Sequence, residues 1–325
     1  MRLKILEALK NSHGFISGQK ISQDCGVSRT SIWKHINSLK EDGYEIESVS
    51  RKGYRLISSP DLLKSSEIEE FLETKYIGKE VIHFDSIEST NKYANEIATT
   101  KAEGTVVTAE GQVAGKGRLG RGWTSPEKKG IYFSIILKPN LEPSQVAKLT
   151  LIGAAAVNLA LKDIDIDSQI KWPNDIVIDG KKLCGILTEM SCELNIINHI
   201  VIGIGINANL ERDDFSHELQ NKATSLKIIS GNNIQRGKLL ALVLNHFEKL
   251  YDSFKEDLNL DETIDICKKH SALIGKDVQI IKDGKRSFGK AIDINQEGEL
   301  LVQFENAIKK IFSGEVSVRG LDNYI

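Results

Sequence analysis

No two of the four cysteines in this 325-residue chain are spaced as C-x-x-C, and the seven histidines form no metal-ligand pattern. Cys25, Cys184, Cys192 and Cys267 therefore read as reduced thiols, no zinc centre is expected, and the expected compartment is the cytoplasm. A secretory apolar segment is missing too, because Glu7 and Lys10 interrupt the residues after Met1-Arg2-Leu3-Lys4. The most apolar run, Leu149 to Leu161, is shorter than a bilayer crossing and flanked by lysines, so no membrane is expected. Net charge is nearly absent at −2, yet residues 1–60 hold ten Lys/Arg against six Asp/Glu. That asymmetry points to a polyanion-binding N-terminal module. At this length two or three domains are expected.

What the chain does contain is a basic glycine loop, Ala114-Gly115-Lys116-Gly117-Arg118-Leu119-Gly120-Arg121-Gly122-Trp123. Glycines let a backbone approach a ligand closely, and Lys116, Arg118 and Arg121 can neutralise a polyanion, so the loop suits a nucleotide phosphate chain. Its G-x-G-x-x-G spelling is not a dinucleotide fingerprint. The residues that follow, Thr124-Ser125-Pro126 and the strand-like 131–137, supply neither a helix nor a ribose-binding acid. No Gly-Lys-Ser/Thr closes a Walker loop either.

The first sixty residues predict a winged helix-turn-helix. Leu3, Ile5, Leu6 and Leu9 mark one helix, Ser17 to Gly26 a second, and Ser28 caps a third that buries Ile32, Ile36 and Leu39. Its opposite face shows Arg29, Thr30, Ser31, Lys34 and His35, and Ser28 stands at its start. Tyr44–Val49 and Gly53–Ile57 form a hairpin wing with Arg51 and Lys52 at its tip, placed to touch DNA. Ser58-Ser59-Pro60 reads as a boundary.

Beyond it, helices and strands mix. A strand at 81–85 leads to Ser89, Thr90 and Asn91 at a helix N-terminus, where free N–H groups and small polar side chains can hold a carbonyl, urea or carboxylate. A strand at 105–110 runs through Gly111-Gln112 into the basic loop, and Pro143 starts a long core helix. Pro173 must break a strand where Lys171, Asn174 and Asp175 are presented. Asp179-Gly180 signals a hairpin whose return strand carries Lys182, a lysine that needs an anionic partner if buried. Glycines inside the strand 199–207 call for close approach by a ligand or another backbone. From Ile274 onward, short strands separated by Asp283-Gly284-Lys285, Gln296-Glu297-Gly298 and Ser313-Gly314 suit a small SH3-like barrel.

Four segments taken in order, the glycine loop, Lys171-Trp172-Pro173-Asn174-Asp175, Lys182-Leu183-Cys184-Gly185-Ile186-Leu187 and Gly203-Ile204-Gly205-Ile206-Asn207, give the chain a close resemblance to the biotin protein ligases. The resemblance spans essentially the whole length, in the bifunctional form that also represses the biotin operon. It implies an α+β multidomain architecture: a winged helix-turn-helix over 1–62, a mixed α/β catalytic domain of class II synthetase-like type over 63–272, and the barrel over 273–325. It further implies that biotin and MgATP give biotinyl-5′-AMP, from which a lysine of a biotin carboxyl carrier domain takes the biotinyl group.

By similarity, Ser89, Thr90, Asn91 and Gln112 would hold biotin, with Lys116, Gly117 and Arg118 over its carboxylate and the phosphates. Lys182 would join Arg118 in catalysis. Trp123 would pack near adenine, with Gly115, Arg121, Lys171, Asn174, Asp175 and Asn207 also on the nucleotide side. A homodimer on operator DNA is the implied regulatory assembly. The family's loop usually has arginines where Lys116 and Leu119 stand; a lysine keeps the charge but lacks the planar fork. Ser313-Gly314-Glu315-Val316-Ser317 resembles a signature of the piece that helps enclose ATP and the acceptor. Two other readings of the same residues are a repressor that only senses a metabolite and a lipoate or octanoate transferase.

Overall fold

The structure, a computed structural model, describes residues 1–12, 14–282, 285–313 and 317–320. It divides into two compact units, Met1–Leu62 and Leu63–Ile325. The turn expected at Asp283-Gly284, and Gly314-Glu315-Val316 of the expected signature, lie outside the described residues.

In the first unit, α1 (Arg2–Lys10), α2 (Gly18–Cys25) and α3 (Arg29–Glu41) are followed by β1 (Glu45–Val49) and β2 (Gly53–Ser58). Ser17 caps α2 by accepting the Lys20 N–H, and Ser28 caps α3 by accepting that of Ser31. Between them Gly26 ends α2 in the left-handed conformation, which makes the turn of the motif. Ile5, Leu9, Ile21, Ile32, Ile36 and Leu39 meet in one small core. The wing is an antiparallel hairpin with Ile46 opposite Leu56.

The second unit opens with a short α4 (Ser65–Ile68), then β3 (Val81–Ile87), α5 (Thr90–Ile97), β4 (Val106–Gln112) and β5 (Ile131–Leu137). Next come α6 (Val146–Lys162), β6 (Gln169–Lys171), β7 (Asp175–Ile178), β8 (Lys181–Glu193) and β9 (Ile196–Ile206). These strands form one seven-stranded sheet in the order β3-β4-β5-β9-β8-β7-β6, parallel only between β3 and β4. Every residue of β5 is buried, as a central strand covered on both faces requires. Pro173 interrupts the sheet as expected. β6 ends at Lys171, the Trp172–Pro173 bond is cis, and β7 returns antiparallel from Asp175. Asp179 and Gly180 both take positive φ, 50° and 73°, and turn β7 into β8.

The helix from Pro143 to Lys162, including a short 3-10 turn at its start, differs from the expectation of a run too short to cross a bilayer. It is long and apolar enough to do so, but 78% of its most apolar window is buried, because it lies between the sheet and the long helix α8 (Arg236–Asp257). It is the core helix. α7 (Leu226–Ser230) precedes α8 and α9 (Asp261–Lys269) follows it.

The chain ends in a five-stranded antiparallel sheet, β10 (Asp277–Lys282), β11 (Lys285–Ile294), β12 (Leu300–Gln303), β13 (Ile308–Ile311) and β14 (Ser317–Gly320), ordered β13-β12-β11-β10-β14. Buried Trp172 donates its indole N–H to the Gly298 carbonyl at 2.9 Å, and Lys148 on α6 pairs with Glu297 at 2.6 Å, which ties this sheet to the central one.

Where the second unit begins, Leu63 donates its N–H to Glu110 Oε1 at 2.7 Å and accepts from Thr108 Oγ1 at 2.8 Å. Glu110 Oε2 is held by Arg236 at 2.9 Å, and Arg236 also donates to the Gly130 carbonyl. Both side chains are essentially without solvent contact. A charge pair this deep is tolerated only when its remaining donors and acceptors are filled, as several are here.

Candidate active site and DNA-binding face

The last residues of β4, the start of α5, the glycine loop and the glycine-bearing stretches of β8 and β9 converge on one cavity. Ser89, Thr90, Asn91 and Gln112 form its uncharged polar end, and Lys116, Arg118 and Lys182 bring positive charge to it. Ser89 is the N-cap of α5, whose opening turn therefore presents Thr90 and Asn91. Thr90 donates its N–H to Gln112 Oε1 at 2.9 Å, and the Gln112 amide donates to Ser125 Oγ at 3.0 Å, so the polar end is braced to the far side of the loop.

The loop closes on itself. Gly117 donates to the Arg121 carbonyl at 2.7 Å and Trp123 to the Gly115 carbonyl at 2.8 Å. Arg118 reaches inward from it, donating to Asn174 Oδ1 at 2.8 Å and to the Ser313 carbonyl at 2.5 Å, and so joins the loop to both sheets. Leu119, at φ 57°, points away and is 64% exposed.

Lys182 reaches the site through an irregularity. Ile176 pairs with Cys184 but Val177 pairs with Lys182, so β8 carries one extra residue there. Bulges of this kind re-aim side chains, and the lysine ends 2.6 Å from Asp175 and 5.3 Å from the Trp123 ring centroid. Its backbone is fixed on both sides by Lys222 and Thr224. The indole of Trp123 lies on Gly205 and Gly185; a Cβ on Gly205 would stand 2.5 Å from Nε1. That Nε1 is buried and, among the described residues, has no hydrogen-bond partner.

The structure thus brings together Ser89, Thr90, Asn91, Gln112, Lys116, Gly117, Arg118, Trp123, Asn174 and Lys182. Gly115 is buried in the loop's stem, Arg121 is exposed, and Lys171 and Asp175 are buried at the β6–β7 turn; none of these lines the cavity. Asn207 also lies outside its lining, with its amide donating to the Thr224 carbonyl at 3.0 Å. Phe133, Leu187 and Ile204 supply apolar wall and were given no role from sequence. Leu187 and Ile204 stand inside two of the family segments, whereas the only signal at Phe133 was an inward position on a strand, shared with every core residue.

In the first unit, Arg29, Thr30 and Lys34 are exposed on one face of α3, while Ser31 and His35 are half-buried beside the core stripe. Ser28 is exposed and spends its hydroxyl on the cap. Trp33, 55% exposed, stands among the exposed residues and had gone unremarked; its spacing of three and four from Thr30 and Arg29 was the available signal. Arg51 and Lys52 are exposed at the wing tip, where Lys52 Nζ and the Arg55 guanidinium lie 5.8 and 4.9 Å from the Phe15 ring centroid.

This combination defines a class, a ligase-type catalytic unit preceded by a winged helix-turn-helix, and comparison with known proteins agrees. Family models match an HTH domain over 2–55, the Biotin/lipoate A/B protein ligase family over 83–207 and the Biotin protein ligase C terminal domain over 273–319. The chain is 43% identical over 306 residues to the bifunctional ligase/repressor BirA of Bacillus spizizenii, which covers 94% of both chains. To BirA of Escherichia coli it is 30% identical over 321 residues, 98% of both. The solved biotin protein ligase from Aquifex aeolicus in complex with biotin and ATP matches 74% of this chain and 99% of its own, at 31% identity and TM-score 0.66. The chain belongs to the biotin protein ligase family, in its bifunctional ligase/repressor form.

Proposed function

We propose that this chain joins biotin to a lysine of a biotin carboxyl carrier domain and represses transcription in response to the same ligand, working in the cytoplasm. ATP enters as its magnesium complex, a substrate. In the first step a biotin carboxylate oxygen attacks the α-phosphorus, the bond to the departing pyrophosphate breaks, and biotinyl-5′-AMP forms. In the second, the carrier amine attacks the acyl carbon, the acyl–phosphate C–O bond breaks, AMP leaves and the amine's proton passes to solvent.

One observation carries this reading: a single cavity has an uncharged hydrogen-bonding end suited to a urea and several cations suited to a carboxylate and phosphates. Bringing two anions together requires preorganised positive charge, which Lys116, Arg118 and Lys182 provide. Ser89, Thr90, Asn91, Gln112 and Gly117 are assigned to biotin. Gly115, Arg121, Trp123, Lys171, Asn174, Asp175 and Asn207 are assigned to the nucleotide, those beyond the cavity wall by orienting it. Ser28, Arg29, Thr30, Ser31, Lys34, His35, Arg51 and Lys52 are assigned to DNA. One helix-turn-helix reads few base pairs, so operator binding is assigned to a homodimer on a two-fold site.

The test is mass spectrometry of a carrier domain incubated with the protein, biotin and MgATP. A gain of one biotinyl group on its lysine is expected. Transfer from lipoate but not biotin would instead select the acyltransferase reading, and operator binding without any transfer the sensor reading.

A further inference from the structure

A chain of hydrogen bonds lies behind the uncharged end of the cavity. Glu189, half-buried on β8, accepts from Asn91 Nδ2 at 2.9 Å and Asn95 Nδ2 at 3.3 Å. Asn95 Oδ1 is 3.0 Å from His199 Nε2, so that ring nitrogen donates and the Asn95 amide is oriented with its NH2 toward the carboxylate. On its other side Asn91 Oδ1 is 2.6 Å from Ser134 Oγ, Ser134 Oγ is 2.8 Å from Thr90 Oγ1, and Thr90 Oγ1 is 3.2 Å from Gln112 Oε1.

The protons can be placed by elimination. Three oxygen–oxygen contacts share two hydroxyl protons, those of Ser134 and Thr90, because a carboxamide oxygen only accepts. Leaving the 2.6 Å or the 2.8 Å contact without a proton would press bare lone pairs together. The longest contact is therefore the one left bare, and Gln112 Oε1 already receives the Thr90 N–H. Ser134 donates to Asn91 and Thr90 donates to Ser134. Thr90 Oγ1 and Gln112 Oε1 then keep lone pairs for the cavity that both residues line. Were Asn91 flipped, its NH2 would donate to Ser134, Ser134 to Thr90 and Thr90 to Gln112. Most of that accepting capacity would be consumed within the protein. The flip is opposed chiefly by Glu189, since it would set a carboxamide oxygen against a carboxylate oxygen, and more weakly by the Leu187 carbonyl, 3.4 Å from Asn91 Nδ2.

We propose that Glu189 and Ser134 are positioning residues that set the direction of this chain, so that Thr90 and Gln112 face the ligand as acceptors for the two N–H groups of a cyclic urea. This rests on the biotin reading of the cavity. It explains a specificity that no group touching the ligand could fix alone: a hydroxyl and a carboxamide are chemically two-faced, and a carboxylate behind them removes the ambiguity.

The test is a double-mutant cycle on the full chain, with biotin affinity read by titration calorimetry. Glu189→Met keeps the size and removes the acceptor, and is expected to weaken biotin about tenfold or more, the scale of one lost hydrogen-bond direction. Glu189→Leu serves the same purpose should the Met variant not fold. Glu189→Gln restores an acceptor oxygen, which Asn95 still requires, and should stay within about threefold of wild type. Ser134→Ala should weaken biotin as well, and the double variant should be no weaker than the weaker single one, because both cut one chain. ATP affinity and thermal unfolding should hardly change. Additive losses, or a Gln variant as weak as the Met variant, overturn the proposal. Failure of the wild-type protein to bind biotin at all overturns the functional reading beneath it, a result distinct from either.

Discussion

Replacing Lys182 with alanine separates catalysis from stability, because the structure sets the two costs far apart. The backbone at 182 is held by its own bonds to Lys222 and Thr224, so truncation leaves the strand in place. What is lost in the resting protein is an ion pair with Asp175 at 2.6 Å, with the two side chains 24% and 11% exposed, and a contact over Trp123. Lys182 is partly solvated and Asp175, though buried, keeps the Asn174 amide at 3.1 Å, so the pair contributes about 1 kcal/mol, and in a unit of this size that lowers the unfolding midpoint by about 2–4 °C. In the transition state the same ammonium would face charge developing on the α-phosphate and the carboxylate. Losing one preorganised donor at such a point costs about 2.7–4 kcal/mol, or roughly 10²–10³ in rate. Biotin-dependent exchange of pyrophosphate into ATP should accordingly fall by two to three orders of magnitude in Lys182→Ala, with the melting curve displaced only slightly. Exchange within a factor of a few of wild type would refute the assignment and move the role to Lys116 or Arg118.

Arg118→Gly removes the bonds to Asn174 and Ser313 that hold the glycine loop over the cavity, so biotinyl-AMP should escape and label lysines of bystander proteins; loss of activity with no stray labelling on blots would count against a guarding role. Deleting residues 1–62 should abolish binding to an operator selected from random duplexes while carrier biotinylation persists. For the intact protein the log–log salt slope should be about −7, if two copies each bring Arg29, Lys34, Arg51 and Lys52 to phosphates; a slope near zero contradicts that face. His83, His199 and His270 are all held below the usual histidine value, chiefly by burial; Lys138 and Lys269 lower His199 and His270 further, while Glu110 partly offsets the effect at His83. The unfolded chain takes up these protons first, near 6.5, so stability should be full above that value and fall as pH drops below it toward the folded values. Denaturant midpoints at pH 7.5, 6.5 and 5.5 check the sign, and a midpoint that rises on acidification contradicts it.

Features governed by neighbours in sequence are legible in the residues themselves. Ser28 and Gly26 announce the boundaries of the helix-turn-helix, Asp179-Gly180 the hairpin between β7 and β8, and Pro173 the break between β6 and β7. The partners of those elements were not legible. Arg118 meets Asn174 across 56 positions and Ser313 across 195, and only the sheet order determines that they touch. The same holds for Lys182, whose direction depends on a bulge created by pairing, and for Asn207, whose motif position says nothing of the Thr224 carbonyl that takes its amide. The helix α9 went unseen because Asp261-Glu262 and Lys268-Lys269 leave only Ile264 and Cys267 as a buried signal besides Thr263.

The clamp on Leu63 has a consequence for how such a protein can be rebuilt. Both polar groups of that residue's backbone are held by β4, and β4 is held by Arg236, so the point at which the chain enters the catalytic unit is fixed by that unit alone. The junction between Leu62 and Leu63 is therefore a natural splice site, where a different reading head could be attached to the same ligase without disturbing the strand that carries Gln112 to its ligand.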